Sequence, residues 1–461
     1  MPEAQTESQL VVSAPAMEPS VSHELAQKRS EAKTQFAPLP TSALQSTVIR
    51  EEQPAEVAAA ASTDEQPSVS AAPTTAAGAA ETSARVFHSQ ADTFVAHAER
   101  QTMTAMQITS MLGMHRIHAN ANAPIPRLAD HDVLIEVYAA GINPIDWKML
   151  DGDLPVVRGS LLPFTLGFDV AGVVSRVGPR ASRFKIGDEV LARCDRPGTF
   201  AQYCATHEDT VALKPNNLTF ESAAAVPLAA LTAYQCLVDV AQVTAGQRVL
   251  IHAGLGGVGS FAIQIAKTIG CFVATTCSAR NMHAAKALGA DIVVDYRSQR
   301  FRDHLNQFDV VIDSLGGKCL TDSMKCLKPD GLVIEIGGLP TRTILRSLGL
   351  RGYHGPREMS LLTASRYSHW KCREAAKKHN VRYEYYFMHP SGEQLQRITR
   401  WLADRTIQPV VDRMFEFFHV EDALNYSATG HVSGKIVLQV KSAPSPPARL
   451  NSLPPASERL V

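Results

Sequence analysis

The sequence predicts an α/β protein in which a doubly wound parallel sheet is combined with a β-rich part. From residue 247 onward, short apolar strands alternate with helices. Such alternation requires right-handed crossovers and a parallel sheet that is covered on both faces. Before that point, residues 132–140, 168–177 and 188–193 are predicted as strands, separated by turns that contain glycine. The chain therefore changes architecture near residue 247.

The elements of the doubly wound part follow one another at short spacing. A strand at 248–252 leads through a glycine-rich turn into a helix at 257–269. The next predicted strands are 272–276, 291–294, 309–313 and 332–336, and the helices that follow the first three are 280–288, a segment near 298–306, and 318–327. Further along, we predict a helix at 366–379, a strand at 381–388, a helix at 393–404 and a closing strand at 434–440.

Composition and charge exclude several classes of protein. The 461 residues include 45 Lys and Arg and 45 Asp and Glu, so the formal net charge is zero, which argues against a nucleic-acid-binding protein. No apolar run approaches the roughly 20 residues of a membrane-spanning helix, so we expect no membrane span. The 8 cysteines lack the C-x-x-C spacing of zinc ribbons. Scattered, reduced cysteines are typical of a cytoplasmic enzyme, and we predict that location.

The two ends of the chain differ in composition from its centre. Residues 1–105 are rich in Ala, Ser, Thr, Pro, Glu and Gln, and residues 441–461 are rich in proline. Such segments cannot bury enough apolar surface to offset their ordering entropy, so we predict a disordered leader and a disordered tail. Two interpretations of the leader stay open: a linker or solubilising arm, or a signal for the delivery of a bacterial effector into a host cell.

A glycine motif connects the first strand and helix of the doubly wound part. Its sequence is Gly254-Leu255-Gly256-Gly257-Val258-Gly259. In a dinucleotide-binding site, the first glycine permits the tight turn, the second lets a pyrophosphate approach the backbone, and the last lets the helix pack close to the sheet. The N–H groups at the start of the helix then bind the phosphates. We predict dinucleotide binding here; the alternative is a purely structural turn.

The residues after the second strand indicate which dinucleotide is bound. An NAD site usually has an acidic residue about 20 positions after the motif, which holds the ribose hydroxyls. Residues 275–281 contain none, and the next acidic residue is Asp291. Ser278 and Arg280 would instead suit a 2′-phosphate. The sequence therefore predicts NADP(H), although Arg280 could also be an ordinary solvated side chain.

Several motifs in a fixed order resemble one family. They are Gly141-Ile142-Asn143-Pro144-Ile145-Asp146, Gly167-Phe168-Asp169-Val170-Ala171-Gly172-Val173-Val174, Phe184-Lys185-Ile186-Gly187-Asp188-Glu189-Val190, Leu231-Thr232-Ala233-Tyr234, the glycine motif and Gly434-Lys435-Ile436-Val437-Leu438. Together they resemble the medium-chain dehydrogenase/reductase superfamily, and most of all its zinc-free quinone oxidoreductase branch, which includes alkenal and enone reductases. The resemblance covers about residues 106–440.

The resemblance implies a domain organisation. A GroES-like substrate domain would be formed by residues 106–231 and by a C-terminal return at 406–440. A Rossmann domain at 232–405 would be inserted between these two parts, with the active site in the cleft. Relatives are commonly dimers joined by edge strands of the nucleotide domain, so the resemblance also implies a homodimer.

The residues that bind zinc in relatives are replaced in this chain. Zinc-dependent relatives carry a catalytic Cys in the region of Asn143 and a His in the region of Phe168. A catalytic zinc site needs about three protein ligands, so we predict that no metal is bound. A zinc alcohol dehydrogenase, the alternative, would contain stoichiometric zinc. Without a Lewis acid, hydride transfer from NADPH to a quinone or an enone remains feasible, because the conjugated acceptor stores the arriving charge.

The resemblance also implies roles for individual residues. Asn143 and Asp146 would line the cleft near the nicotinamide, and Lys148 stands where some quinone oxidoreductases have Tyr. Lys148 either polarises an oxyanion or points to solvent. The implied cofactor contacts are Thr232 at the carboxamide, Tyr296 near the adenosine half, and Ser314, which follows a strand at the end where ligands bind in such sheets.

A second class of function stays open. A protein with this fold can bind NADPH without turnover and act as a sensor or an interaction protein, since a fold alone does not define an activity. The unusual leader favours this alternative, because disordered arms often bind partners.

Overall fold

The computed structural model describes residues 102–109, 117–150, 162–338 and 356–442, with side chains described from residue 362 in the last range. The strands are β1 (Thr102–Ile108), β2 (Ile117–Pro124), β3 (Asp132–Ile142), β4 (Phe164–Thr165), β5 (Asp169–Val177), β6 (Glu189–Arg193), β7 (Tyr203–His207), β8 (Val211–Leu213), β9 (Arg248–Ile251), β10 (Phe272–Cys277), β11 (Ile292–Asp295), β12 (Phe308–Asp313), β13 (Leu327–Glu335), β14 (Arg382–Tyr385), β15 (Val411–Glu416) and β16 (Lys435–Gln439).

Helices connect or flank most of these strands. They are α1 (Pro144–Leu150), α2 (Phe220–Ala224), α3 (Pro227–Tyr234), α4 (Gly257–Ile269), α5 (Met282–Ala287), α6 (Phe301–His304), α7 (Gly317–Met324), α8 (Pro356–Lys378), α9 (Gly392–Ala403) and α10 (Val420–Ala428). A π-helical turn at Gln235–Val240 continues α3. No helix among the residues just given combines the length and the apolar character that a bilayer crossing requires.

The β-rich part is built around β3. Strands β15, β16, β3, β5, β6 and β8 form a sheet in that order, and β7 also pairs with β3. One face of β3 packs into a core with Val133, Ile135 and Val137, while Leu134 on the other face packs against Met103. The sequence predicts a half-buried strand here. The structure buries β3 on both faces, because the second face is covered by the small sheet β2-β1-β4.

The doubly wound part is a parallel sheet with the order β11-β10-β9-β12-β13-β14. The chain runs outward from β9 to β11 on one side and from β12 to β14 on the other. The order therefore reverses between β9 and β12, and ligands bind outside the carboxyl ends of the strands at such a switch point. This topology confirms the predicted fold class and places the glycine motif beside the residues that follow β12.

The C-terminal return joins the β-rich sheet. Strand β16 runs antiparallel to β3, with Ile436 opposite Ile142 and Leu438 opposite Ala140. Asn143, directly after β3, and Lys435, the first residue of β16, are 292 residues apart in sequence. The pairing of the two strands therefore closes the β-rich sheet across the inserted Rossmann domain. It also places Lys435, the first residue of β16, next to Asn143, the first residue after β3.

Most predicted elements are confirmed within one or two residues, but β13 begins at Leu327 instead of 332 and α8 begins at Pro356 instead of 366. The helix predicted near 298–306 is reduced to α6, and the helix predicted at 280–288 begins as a 3-10 turn at Ala279–Asn281. Strand β1 begins at Thr102, inside the predicted leader, because its backbone pairs with β2 and Met103 and Ala105 pack into an apolar cluster. Lys441, in the predicted tail, still bonds to Glu136. The rest of the leader and tail lies outside the described residues.

The predicted domain boundaries stay predictions. The boundary at 231/232 falls inside α3, and the boundary at 405/406 falls in the turn after α9.

A substitution at Gly172 tests how closely β5 packs against β3. A Cβ atom at Gly172 would lie 2.0 Å from the Glu136 carbonyl oxygen and 2.9 Å from Ile135 Cγ2. Because the backbone of β3 cannot yield without disturbing both faces, we expect Gly172→Ala to lower the free energy of unfolding by about 2 kcal/mol. Urea unfolding checks this, with the exposed Arg176→Ala on the same strand as a control. Equal urea midpoints for the two variants would contradict the close contact between Gly172 and the backbone of β3.

Candidate active site

The glycine turn is held tightly against the sheet. A Cβ atom at Gly254 would lie 2.0 Å from Thr275 Oγ1, and one at Gly259 would lie 2.3 Å from the Ala253 carbonyl oxygen. The left-handed backbone of the turn falls on Ala253, with φ of 52°, rather than on Gly254. Glycine is therefore required at 254 for close approach to β10, and at 259 for close approach of α4 to the turn.

Gly256 has a different environment. A Cβ atom there would meet only the Ala253 carbonyl oxygen at 3.1 Å and Ala253 Cβ at 3.9 Å among the described residues. The protein's own packing thus leaves room at this point. Gly256 caps α4 without a side-chain hydrogen bond, and Gly257 and the half-buried Val258 begin the helix. Free N–H groups beside an open approach fit a pyrophosphate.

The predicted adenosine-end residues gather at the carboxyl ends of β10 and β11. Ser278 is buried directly after β10, and the exposed Arg280 donates from Nη2 to the His431 carbonyl oxygen at 2.8 Å. Tyr296 is exposed, and its N–H donates to the Cys277 carbonyl oxygen at 3.2 Å. The backbone segments that carry the three residues thus lie side by side; that their side chains form a common site stays a prediction.

The acidic residues near this end are engaged elsewhere. Asp291 lies at the opposite end of β11, where it pairs with Lys267 at 2.8 Å. Asp295 ends β11 beside Cys277, but it accepts hydrogen bonds from the Arg297 N–H and from Ser298 Oγ within its own turn. The acidic side chain that typically binds an NAD ribose therefore has no clear counterpart among these residues.

Asn143 is the centre of a buried polar network. Its Nδ2 donates to Asp169 Oδ2 at 2.9 Å, and its Oδ1 accepts from Lys435 Nζ at 2.5 Å. Lys435 Nζ also lies 3.2 Å from Asp169 Oδ2. The Asn143 N–H donates to Asp146 Oδ2 at 2.8 Å, which fixes the turn that starts α1. The structure thus brings the predicted residues Asn143 and Asp146 together and adds Asp169 and Lys435 to them.

Asp146 is fully buried, and its ionisation is unusual. Burial raises the pKa of Asp146 to about 7, and the nearby Asp169 carboxylate raises it as well. The Asn143 N–H and the Lys435 ammonium oppose this rise. Its Oδ1 atom has no hydrogen-bond partner among the described residues. Asp146 therefore exchanges its proton near neutral pH, whereas an ordinary aspartate is ionised there.

Arg193 adds a second buried cation. Its Nη1 donates to the Cys194 carbonyl oxygen at 2.8 Å, and its guanidinium lies 4.6 Å from the centre of the Phe168 ring. Burial lowers the pKa of Arg193, while the Asp169 and Asp146 carboxylates raise it. The network therefore holds two carboxyl groups and two basic groups with almost no exposure to water.

The sequence prediction missed Asp169, Lys435 and Arg193. A signal was present, because each is a charged residue at the end of a strand and directly adjoins an apolar run of that strand. Charged side chains are almost never fully buried unless they are paired. What the sequence lacks is any indication of which charge pairs with which.

Lys148 and Thr232 lie at the edges of this network. Lys148 is two residues after Asp146 on α1, about 200° around the helix, and it is half-buried with its ammonium 5.7 Å from the Trp147 ring centre. Thr232 is buried in α3, and its hydroxyl donates to the Leu228 carbonyl oxygen at 2.7 Å. The Leu228 N–H in turn donates to Asp169 Oδ1 at 2.9 Å.

Ser314 lies at the switch point. It follows β12, and its carbonyl oxygen would lie 2.4 Å from a Cβ atom at Gly337, so the loops after β12 and β13 are in close contact. Asp313 holds this loop by accepting from the N–H groups of Leu315 and Gly316. The contacts of Lys148, Thr232, Tyr296 and Ser314 with a ligand stay predictions.

Within the described residues, the cluster His252, Asp313 and Cys319 has ligand atoms close enough to hold a metal, all within 4.8 Å of one another. Both ring nitrogens of His252 have hydroxyl partners, Thr276 Oγ1 at 3.0 Å and Ser323 Oγ at 2.8 Å. Burial lowers the pKa of His252 to about 4, so the ring is neutral at pH 7. A closed zinc site needs four ligands. These contacts fit a hydrogen-bonded cluster that fastens α7 and β10 to β9.

Comparison with known proteins gives family matches for both parts of the fold. The family described as alcohol dehydrogenase GroES-like domain matches residues 129–216, and the family described as zinc-binding dehydrogenase matches residues 288–438. The 2-methylene-furan-3-one reductase of Solanum lycopersicum is 33% identical over 73% of this chain and 79% of its own length. The chloroplastic NADPH-dependent alkenal/one oxidoreductase of Arabidopsis thaliana is 31% identical over 71% and 76%.

A solved structure shows the same fold. The quinone oxidoreductase from Coxiella burnetii superposes with a TM-score of 0.64 at 31% identity, over 74% of this chain and 99% of that chain. The fold shared with relatives that are named as reductases and NADPH-dependent oxidoreductases assigns this chain to the nicotinamide-dependent oxidoreductases. The chain belongs to the medium-chain dehydrogenase/reductase superfamily, in its quinone oxidoreductase branch.

The raised pKa of Asp146 predicts a pH-dependent stability. Between the ordinary pKa of 3.8 and about 7, the folded protein keeps a proton that the unfolded chain has released. The contribution of Asp146 to the free energy of unfolding is therefore fully present below pH 3.8. It is lost as the pH rises from 3.8 through about 7. We expect Asp146→Asn to gain stability relative to wild type over that range, as measured by urea unfolding at pH 5 and pH 8.

The control for this measurement is Asp330→Asn, which changes a carboxylate whose side chain is 86% exposed. This variant should follow the wild-type curve. A constant difference between Asp146→Asn and wild type across the pH range would contradict the raised pKa.

Proposed function

We propose that this chain transfers a hydride from NADPH to a quinone or an α,β-unsaturated carbonyl compound, without zinc. The observation that carries the proposal is the buried Asn143 amide, which is held by charged partners directly beside the nucleotide-binding turn. Lys435 connects the two sites, because its Cδ lies 2.9 Å from a Cβ atom built at Gly257. The quinone and alkenal activities named for the relatives support the same class of acceptor.

We expect backbone and side-chain groups of this chain to bind the cofactor. Bound NADPH would supply the hydride. The free N–H groups at the start of α4, with Gly254, Gly256, Gly257, Val258 and Gly259, would hold the pyrophosphate. Ser278 and Arg280 would hold the 2′-phosphate, with Tyr296 beside the adenosine. Thr232, in α3, would contact the nicotinamide carboxamide, and Ser314, which follows β12, would contact the cofactor at the carboxyl ends of the strands.

Polar groups at the cleft would stabilise the acceptor as it takes up charge. The second Nδ2 hydrogen of Asn143 would donate to the developing oxyanion, and such donors act strongly where water is excluded. Asp146 would supply or relay a proton, since it exchanges one near neutral pH. Lys148 is the alternative donor, if its ammonium reaches the acceptor from the other side of α1.

The competing function is a sensor or interaction protein that binds NADPH without turnover. It uses the same nucleotide site, so the geometry of that site favours neither function. We further propose a homodimer in the cytoplasm, in which β14, an edge strand of the parallel sheet, is available for pairing. A monomeric mass in solution scattering would exclude the dimer.

Acceptor-dependent oxidation of NADPH tests the proposed enzyme. We expect the purified protein to oxidise NADPH with 9,10-phenanthrenequinone or an alkenal, followed at the absorbance of the reduced cofactor. Gly256→Asp should abolish this oxidation, because a carboxylate would occupy the open approach at the start of α4 and repel the phosphates. Tight NADPH binding with no oxidation by either acceptor would establish the sensor.

Arg280 tests the preference for NADP(H). If its guanidinium binds the 2′-phosphate, Arg280→Ala should raise the KM for NADPH about ten-fold or more and leave the KM for NADH nearly unchanged, since a charge-assisted hydrogen bond contributes about 1.5–3 kcal/mol. The exposed Arg373→Ala on α8 is the matched control. A parallel rise of both KM values would show that Arg280 acts only by its hydrogen bond to the His431 carbonyl oxygen, which holds that part of the backbone in place.

A further inference from the structure

The Asn143 amide is held at both ends by charged partners of opposite sign. Lys435 Nζ donates to Oδ1 at 2.5 Å, and Nδ2 donates to Asp169 Oδ2 at 2.9 Å. An ammonium group can only donate hydrogen bonds, and a carboxylate can only accept them. Each partner can therefore bond to only one end of the amide. Only one of the two amide orientations makes both hydrogen bonds.

The opposite orientation is strongly disfavoured. A rotation of the amide by 180° would bring its N–H groups against the Lys435 ammonium and its oxygen against the Asp169 carboxylate. Each of the two lost hydrogen bonds involves a charged group, and such bonds are the most costly to leave unmade in a buried site. Asn143, Asp169 and Lys435 are at most 3% exposed, so water cannot replace the lost partners. The two charges thus define the orientation of the amide.

Lys435 is itself placed by several elements of the fold. The pairing of β16 with β3 brings it beside Asn143, and its backbone N–H donates to the Val410 carbonyl oxygen at 2.8 Å. Its side chain runs along Gly257, and a Cβ atom on residue 257 would displace the Lys435 side chain. The ammonium is therefore held between the first turn of α4 and the start of α1.

We propose that Lys435 is a positioning residue for the reaction. It fixes the Asn143 amide so that the second Nδ2 hydrogen is available to the acceptor oxygen. By bonding to Oδ1, it also polarises the amide and strengthens that N–H group as a donor. The inference rests on the proposed function, in which Asn143 donates to the developing oxyanion.

A purely structural role makes a different prediction. In that case Lys435 only neutralises the buried Asp169, and removing both charges together should restore the protein. Replacement of both partners of a buried ion pair by neutral side chains is often neutral or stabilising, whereas loss of one partner is strongly destabilising. In Lys435→Met/Asp169→Asn, however, neither of the two charges that select the original orientation of the Asn143 amide remains.

The experiment compares wild type, Lys435→Met, the double variant Lys435→Met/Asp169→Asn, and Asn143→Ala. Urea unfolding, the Kd for NADPH from fluorescence, and kcat and KM with 9,10-phenanthrenequinone are measured for each. The control is Lys441→Met/Glu136→Gln, a partly exposed pair that is 2.7 Å apart near the end of β16. It should keep the wild-type kcat.

We expect Lys435→Met to be destabilised and the double variant to recover stability and NADPH affinity. The kcat of the double variant should nevertheless stay about ten-fold to a hundred-fold below wild type, near that of Asn143→Ala, since loss of one oxyanion donor has an effect of about this size or larger. A wild-type kcat in the double variant would overturn the positioning role and leave the proposed function intact. A wild-type protein that oxidises no NADPH would overturn both.

A second variant keeps the test decisive if the double variant does not unfold cooperatively. Lys435→Gln retains a side chain that can donate to Asn143 Oδ1, but it removes the positive charge by which Lys435 fixes and polarises that amide. A kcat reduced about ten-fold or more, with an unchanged Kd for NADPH, supports the positioning role. An unchanged kcat overturns it.

Discussion

The buried contact among Lys435, Asn143 and Asp169 is the constraint on which the rest of the site depends. An isolated ammonium or carboxylate in an apolar interior is costly, so each of these groups requires the others. Lys435 and Asp169 are 266 residues apart in sequence and come from different strands of one sheet. The contact forms only when β16 returns to β3, so an intact site requires that the complete β-rich sheet has formed around the inserted Rossmann domain.

This contact also explains why the two halves of the site lie together. The switch point of the parallel sheet brings the glycine turn and Ser314 to the same edge of that sheet. Strand β3 ends at Ile142, so Asn143 and α1 belong to the β-rich part. The Lys435 side chain connects the two, because it runs along Gly257 and bonds to Asn143. Substitution of Gly257 would therefore affect the proposed phosphate site and the amide network together.

The sequence predicts local features well and long-range pairing poorly. The alternation of strands and helices and the glycine motif depend on neighbouring residues, so the fold class, the helix α4 and most strands follow from pattern alone. Strand β1 consists largely of small or polar residues and becomes visible only through its pairing with β2. Likewise, Asp169 and Lys435 stand in apolar strands without any local sign that they contact each other. Asn143 and Asp146 could be predicted because the resemblance names them, but their partners could not.

The chemistry of the network suits a site in which fixed dipoles replace a Lewis acid. A metal stabilises developing negative charge by its own charge, whereas an amide does so only if its N–H group already points at the acceptor. Free rotation of a neutral amide would leave that direction undefined. Two opposite charges remove the ambiguity, and their burial beside Arg193 and Phe168 excludes the water that would weaken them. The buried ionisable groups therefore disfavour folding individually, but as a set they give the Asn143 amide one orientation before any acceptor arrives.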